Sequence, residues 1–371
     1  MKTKVLFLLL GGSVLAMAAW FVHVPNPTQA DEIPEKYRDT VHKGLEYLVK
    51  NQGKDGHWEG DGGKHPVAMT GLVGLALLME VDNPRRSRVA KANNVAKAKY
   101  SVNIEKAADW LMGMAQADRD GLIFSGHASE TARYMQGHGL ATLFLAGARE
   151  NESDEARRKE LADVLTRAVK YIVKAQSTQG GWYDTSRVEG HDFATISATV
   201  IQIQALQAAE NSGIPVPSEA IKDAQQYLKF ALGKAEEAIK PEQKRRQSAH
   251  TASALACRDA LSALGKGDEL CGEWIKYCRA EIPVGRDIKF GRDELTHYYY
   301  AQAVYNLGGR AWSDYRTAMF DQLQNSQNKD GSWPAGDDIS VGQVYSTSLW
   351  CTILQLDKNC HPSVRRIYTT R

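Results

Sequence analysis

The sequence has no run of alternating Val, Ile and Thr between its turns, which excludes an architecture built on a sheet. It has no cysteine before Cys257, so the apolar stretch Val5–Val24 is not followed by the thiol that a lipid-modified anchor needs. It also lacks an excess of either charge. Lys and Arg number 46 against 44 Asp and Glu, and Lys2 and Lys4 make up the difference, so beyond residue 30 the counts are equal. Nothing in this balance supports binding to nucleic acid. The five cysteines are an odd number, which excludes complete internal disulfide pairing; Cys257–Cys271 and Cys351–Cys360 are the two bridges whose spacing allows one.

Lys2 and Lys4 precede the run Val5–Val24, which is free of acids, lysine and arginine, and Thr28-Gln29-Ala30 offers a cleavage site. Residues 1–30 therefore read as a signal peptide or an N-terminal membrane anchor through residues 5–24. Residues 31–371 are left as one domain, placed outside the cytosol in the periplasm or beyond it. One basic cluster stands out: Arg85, Arg86, Arg88, Lys91, Lys97 and Lys99, with only Asp82 against them. It reads as a solvated loop or as a contact for an anionic surface.

Three copies of one pattern organise the rest: Gln52–Gly56–Trp58, Gln176–Gly180–Trp182 and Gln327–Gly331–Trp333. Each follows a helix-like run and precedes a more apolar one, so each marks the end of an outer helix in an internal repeat. Gly suits a left-handed helix cap, Trp can pack on that cap, and the Gln amide can bond free backbone groups. Outer helices are expected near 34–51, 103–117, 155–176, 218–232, 270–280 and 312–327. Inner helices are expected near 66–80, 136–148, 193–210, 249–264, 296–307 and 344–356. Six outer–inner hairpins that close on themselves make an all-α fold, the α/α toroid.

The pattern resembles the Gln–Trp repeat of the squalene cyclase and prenyltransferase-β superfamily over nearly all of residues 34–358. Tyr134–Leu143 and His297–Tyr299 resemble stretches found in its exported members. The resemblance implies a toroid with a central cavity suited to an isoprenoid or other apolar ligand. It does not carry the family's chemistry with it. Cyclases hold an Asp-rich acid motif where this chain has Thr195-Ile196-Ser197-Ala198-Thr199-Val200, without a carboxylate. Prenyltransferases hold zinc with Asp, Cys and His where this chain has Asp293-Glu294-Leu295 and Tyr345. Cys271-Gly272-Glu273-Trp274 lacks the Gln that a thioester domain requires. Enzymatic activity, cofactor and metal are therefore left open.

Two inner helices suggest a polar stripe facing the cavity. Asp192, Thr195, Thr199 and Gln202 share their spacing with Tyr345, Ser348, Thr352 and Gln355. His65, His138, His191, His250 and His297 fall near five inner N-termini, with Asp192, Asp293, Glu294, Asp337 and Asp338 close by. His138, His191, Asp192, His297 and Tyr298 are thus candidates for a shared acid–base site, and the same histidines could instead bond loop carbonyls. Helix dipoles would favour neutral imidazole there. Tyr298-Tyr299-Tyr300, Tyr345, Trp350 and Tyr134 could line an aromatic cavity. The leading expectation is an apolar ligand in the centre. The alternatives are a protein- or glycan-interaction module and a polysaccharide lyase with a Tyr or His base.

Overall fold

The computed structural model describes residues 33–81, 99–116, 121–233, 241–257, 267–335 and 341–364. Residues 1–30, residues 82–98 of the basic loop, Asp337 and Asp338 lie outside them. Among the described residues twelve α-helices alternate between two rings. The outer ones are α1 (Glu35–Lys50), α3 (Ser101–Met114), α5 (Glu155–Ala175), α7 (Ser218–Leu232), α9 (Gly267–Glu281) and α11 (Gly309–Ser326). The inner ones are α2 (Pro66–Leu78), α4 (Tyr134–Asn151), α6 (Ile196–Asn211), α8 (Pro241–Ala256), α10 (Glu294–Leu307) and α12 (Gln343–Leu354). Each inner helix packs on the next, and α12 returns to α2, so the inner ring closes. Among the described residues the only strands are the two-residue pair β1 (Ala115–Gln116) and β2 (Leu122–Ile123).

The outer helices bury one face. In α1 this is Tyr37, Thr40, Val41, Gly44, Leu45 and Leu48, at spacings of three and one that keep them on one stripe. The inner helices α2, α4, α6, α10 and α12 are buried nearly all round, which removes the contrast between faces. The fourth inner helix begins at Pro241, eight residues before the expected start at 249. Proline suits the first turn of a helix, where its missing N–H has no partner to lose. The polar run that follows hides this start from a reading based on apolar spacing. None of the five cysteines is joined in a disulfide, so neither expected bridge forms.

The three Gln–Gly–Trp copies make the same bonds. The Trp indoles donate to carbonyls ten residues back: Trp58 to Leu48, Trp182 to Ile172, Trp333 to Leu323, at 2.7, 2.7 and 2.9 Å. Each Gln Nε2 bridges two carbonyls, one of them on the next outer helix. Gln52 reaches Gly56 and Asn103, Gln176 reaches Gly180 and Ala220, and Gln327 reaches Gly331 and Thr40. Each motif thus ties its own hairpin to the following one. The last ties α11 to α1 and closes the outer ring.

The glycines allow this approach. Gly56, Gly180 and Gly331 have φ of 104°, 90° and 93°, and a Cβ on each would collide with the backbone of Lys106, Asp223 or Lys43. Two degenerate copies do the same without Trp. Gly121 (φ 95°) presses on Arg167 of α5, and Gly285 (φ 72°) presses on Ala318 of α11.

Candidate funnel at the inner N-termini

The repeat fixes a common register for five inner helices. The backbone N–H of Trp58, Trp182 and Trp333 donates to Thr70, Thr199 and Thr347, at 3.0, 3.0 and 3.2 Å. In the second repeat Ile123 replaces Trp, and its N–H donates to His138 Nδ1 at 3.0 Å. His138 therefore stands where the other repeats hold Thr. Its Nε2–H donates to the Ala168 carbonyl at 3.2 Å, so both ring nitrogens bond the backbone. His297 holds the matching position in α10, twelve residues beyond Gly285, and its Nδ1 meets the Tyr315 hydroxyl at 3.2 Å. Burial, rather than a helix dipole, pushes the two imidazoles down, to about 4 for His138 and about 3 for His297.

The other site expectations fall in separate places. His191 is exposed, with Nδ1 at 2.7 Å from Thr185 Oγ1. Asp192 lies in the loop before α6 and accepts from Thr178 N and Oγ1 at 2.7 and 2.6 Å. It fastens the third repeat loop, and those bonds hold its carboxyl below the usual range. Tyr298 is buried, with its hydroxyl 3.1 Å from His361 Nε2. No hydrogen bond or ring contact joins any two of His138, His191, Asp192, His297 and Tyr298. His65 is the half-buried residue before α2, and His250 lies half-buried in α8. Among the described residues no group of three or more His, Cys, Asp and Glu is arranged to hold a metal ion.

The expected polar stripe is split: Tyr345 and Thr352 share the face turned to the ring's interior, whereas Thr199, Gln202 and Gln355 do not. Thr199 bonds Trp182, Gln202 Nε2 donates to the Met135 carbonyl of α4, and Gln355 Nε2 donates to Ala76 of α2. These groups fill seams between helices. The aligned register points to a different stripe. Every residue of α2 is buried except Ala68, two before Thr70. In α4, from Tyr134 to Ala148, only Gln136 and Leu140 are not buried. The matching residues Ser197, Leu295 and Tyr345 are likewise part-open or exposed, and each is followed by a buried residue. Helical positions four and seven further on share this face. They are Leu72, Leu140, Ile201, Tyr299 and Leu349, then Leu75, Leu143, Gln204, Gln302 and Thr352.

The five helices thus outline a candidate funnel, most open at the shared N-terminal rim and almost wholly buried from about one helical turn down. Its mouth holds Ala68, Gln136, Ser197, Leu295 and Tyr345, and its floor is apolar. Of the aromatics expected to line a cavity, Tyr345 keeps an open face; Tyr134, Tyr298, Tyr300 and Trp350 are buried. None of the stripe residues carries a charge. Two further clefts, of about 700 and 640 Å³, lie outside the ring beside Gln176–Gly180 and between α9, α10 and α11, and neither includes a stripe residue.

The rim is held by two buried acids: Glu294, which the sequence places near an inner N-terminus, and Glu130, which it does not single out. Glu130 accepts from the Val67 N–H at 2.8 Å and from Ser125 Oγ–H at 2.6 Å, which caps α2 with a negative charge. Glu130→Ala leaves that buried N–H without a partner. The expected loss is about 2 kcal/mol of stability in urea denaturation. Glu294 accepts from Gly291 N–H and Ser346 Oγ–H between α10 and α12, and burial raises its pKa. A buried polar group one or two positions from an inner N-terminus is a cue available in sequence only once the register is known.

The fold is similar to that of a type II terpene cyclase. A point variant of the enzyme MstE from Scytonema, in complex with geranylgeranyl dihydroxybenzoate as substrate, superposes with a TM-score of 0.50 at 12% identity, over 87% of this chain and 97% of that one. The same enzyme without ligand gives 0.48 at 13% identity, over 86% and 97%. No protein-family model matches the chain, and no curated protein matches it. What the comparisons establish is the architecture: a terpene-cyclase-like ring of helical hairpins.

Proposed function

We propose that this chain is an exported terpene-cyclase-like toroid that binds a neutral isoprenoid-like molecule, apolar end first, in the funnel at its inner N-termini. The observation that carries the reading is the inward stripe. Ala68 is the one unburied residue of α2, and its counterparts in four other inner helices are unburied too. Below them the floor is Leu72, Leu140, Ile201, Tyr299 and Leu349, which suits a hydrocarbon. Ser197 and Tyr345 at the mouth supply neutral polar contacts for a hydroxyl or carbonyl head, beside Gln136, whose Nε2 donates to Asp184 Oδ1 at 2.8 Å. The complex of the structurally similar cyclase with a geranylgeranyl compound supports the ligand class. The lack of any acid along the stripe supports binding without the protonation that starts family-type cyclisation. Export rests on the N-terminal basic and apolar pattern of residues 1–30.

The test is mass spectrometry of the organic-solvent extract of protein purified from a lipid-rich bacterial host, with titration by an apolar fluorescent probe. The expected result is a neutral isoprenoid carried through purification and saturable probe binding at one site per chain. Ser197→Arg with Leu295→Arg should abolish both without loss of helicity. A clean extract and unsaturable probe binding from folded protein would overturn the reading and turn attention to a glycan or protein partner.

A further inference from the structure

Beneath the apolar layer of Leu72, Leu140, Ile201, Tyr299 and Leu349 lies a polar layer. Gln204 Nε2 of α6 donates to Gln302 Oε1 of α10 at 2.8 Å, and the two side chains are 2% and 0% exposed. Helix α8 lies between α6 and α10 in the inner ring. A direct bond between them therefore crosses the interior of the ring. The partners hold the same register position, five residues beyond Thr199 and His297. Gln302 is fixed further by donating Nε2–H to the Tyr298 carbonyl at 3.0 Å.

Below this bridge the chain's own last described segment shuts the ring. Asn211 Nδ2 donates to the Pro362 carbonyl at 2.8 Å, and Tyr305 OH donates to Asn359 Oδ1 at 3.3 Å. Gly147 leaves room for Pro362, whose Cγ would sit 2.6 Å from a Cβ there. Gly147, Asn211 and Tyr305 belong to the C-terminal ends of α4, α6 and α10. His361, 1% exposed, reaches in to the Tyr298 hydroxyl. Passage through the ring is closed at that end, so a ligand enters and leaves by the N-terminal rim.

We propose that the Gln204–Gln302 bridge sets how deep a ligand reaches and so selects its length. This rests on the funnel reading above. The bridge lies seven residues below the mouth, or about 10 Å at the helical rise. An apolar chain that goes deeper must separate two buried amides and leave their polar groups without partners. That costs affinity by about tenfold or more. A chain that ends above the bridge meets no such cost. Leu140, the part-open floor residue, lies one layer above the bridge and marks how far the accessible wall extends.

The experiment measures displacement of the apolar probe by linear prenyl alcohols of increasing isoprene number, in the full protein and in Gln204→Ala/Gln302→Ala. Affinity in the unaltered protein should rise with length and then level off. In the double variant the optimum should move by at least one isoprene unit, with about a tenfold gain for the longest alcohol. Binding to both proteins with the same optimum overturns the inference and leaves the funnel reading standing. Binding to neither overturns both. Should the double variant not fold, Gln204→Ser, which leaves Gln302 room for a water, replaces it with the same outcomes.

Discussion

Gly331→Ala is expected to cost about 3 kcal/mol or more of stability, against about 1 kcal/mol for Gly62→Ala. Both glycines have positive φ, 93° and 71°, so both substitutions strain the backbone. They differ in what a Cβ meets. At Gly62 the nearest atom is the flexible Lys64 Cε at 3.9 Å. At Gly331 it is the backbone carbonyl of Lys43 in α1, well inside contact distance. That carbonyl cannot move without moving α1, because Gln327 bonds Thr40 at 2.9 Å and Trp333 packs on Gly44 of the same helix. Gly331 is where the last hairpin meets the first. Its loss should therefore loosen the ring at its seam, and hydrogen exchange should rise first in α1 and α11. Chemical denaturation of the two variants measures the difference. Equal losses would mean that ring closure does not depend on this approach.

The second large effect is with pH. His138 and His297 are neutral in the fold and titrate near pH 4 and pH 3, whereas the ordinary histidine value is 6.5. Below that value the unfolded chain takes up protons that the folded one refuses. Their contribution to stability is therefore complete above about pH 6.5 and is lost as pH falls toward their folded values. Each histidine adds a slope of about 1.4 kcal/mol per pH unit within this window. Carboxylates add slopes of their own, so the informative quantity is a difference between proteins. His138→Thr restores the residue that Thr70, Thr199 and Thr347 supply elsewhere in the repeat. The variant is expected to lose about 1.4 kcal/mol per unit less than the unaltered protein between about pH 6 and pH 4.5. Its stability at neutral pH should be lower, since the bond to Ala168 and some packing volume are gone. Parallel slopes would show that His138 takes up its proton in the folded state.

The three Gln–Gly–Trp copies were legible because a buried indole and a left-handed glycine leave little choice of residue, and their resemblance to the squalene cyclase and prenyltransferase repeat implied the ring of hairpins. The fourth and fifth copies were not legible. Ile123 and Asp287 stand two residues beyond Gly121 and Gly285, where the other copies hold Trp, and only the backbone contact survives. The functional stripe was missed for a related reason. Trp and the Thr that accepts its N–H are 12, 17 and 14 residues apart in the three clear repeats. Loops of unequal length do not transmit register, so Tyr345, Ser348, Thr352 and Gln355 matched the wrong positions of α6. A helix buried on every side adds no periodicity to correct the error. In α2 only Ala68 departs from burial, and a small residue gives no signal in sequence. The histidines drew attention because they are rare and sit near helix starts. The repeat accounts for His138, which takes the N–H that Thr accepts elsewhere, whereas His297 meets the Tyr315 hydroxyl of the next outer helix.

The most direct test of the funnel is a photoactivatable prenyl probe crosslinked to the folded protein and mapped by peptide sequencing. The stripe predicts label on the N-terminal halves of the inner helices, at Ala68, Leu140, Ser197, Leu295 or Tyr345, and its loss when Ser197→Arg and Leu295→Arg close the mouth. Label confined to the outer helices or to residues 359–364 would contradict a ligand site at the inner N-termini.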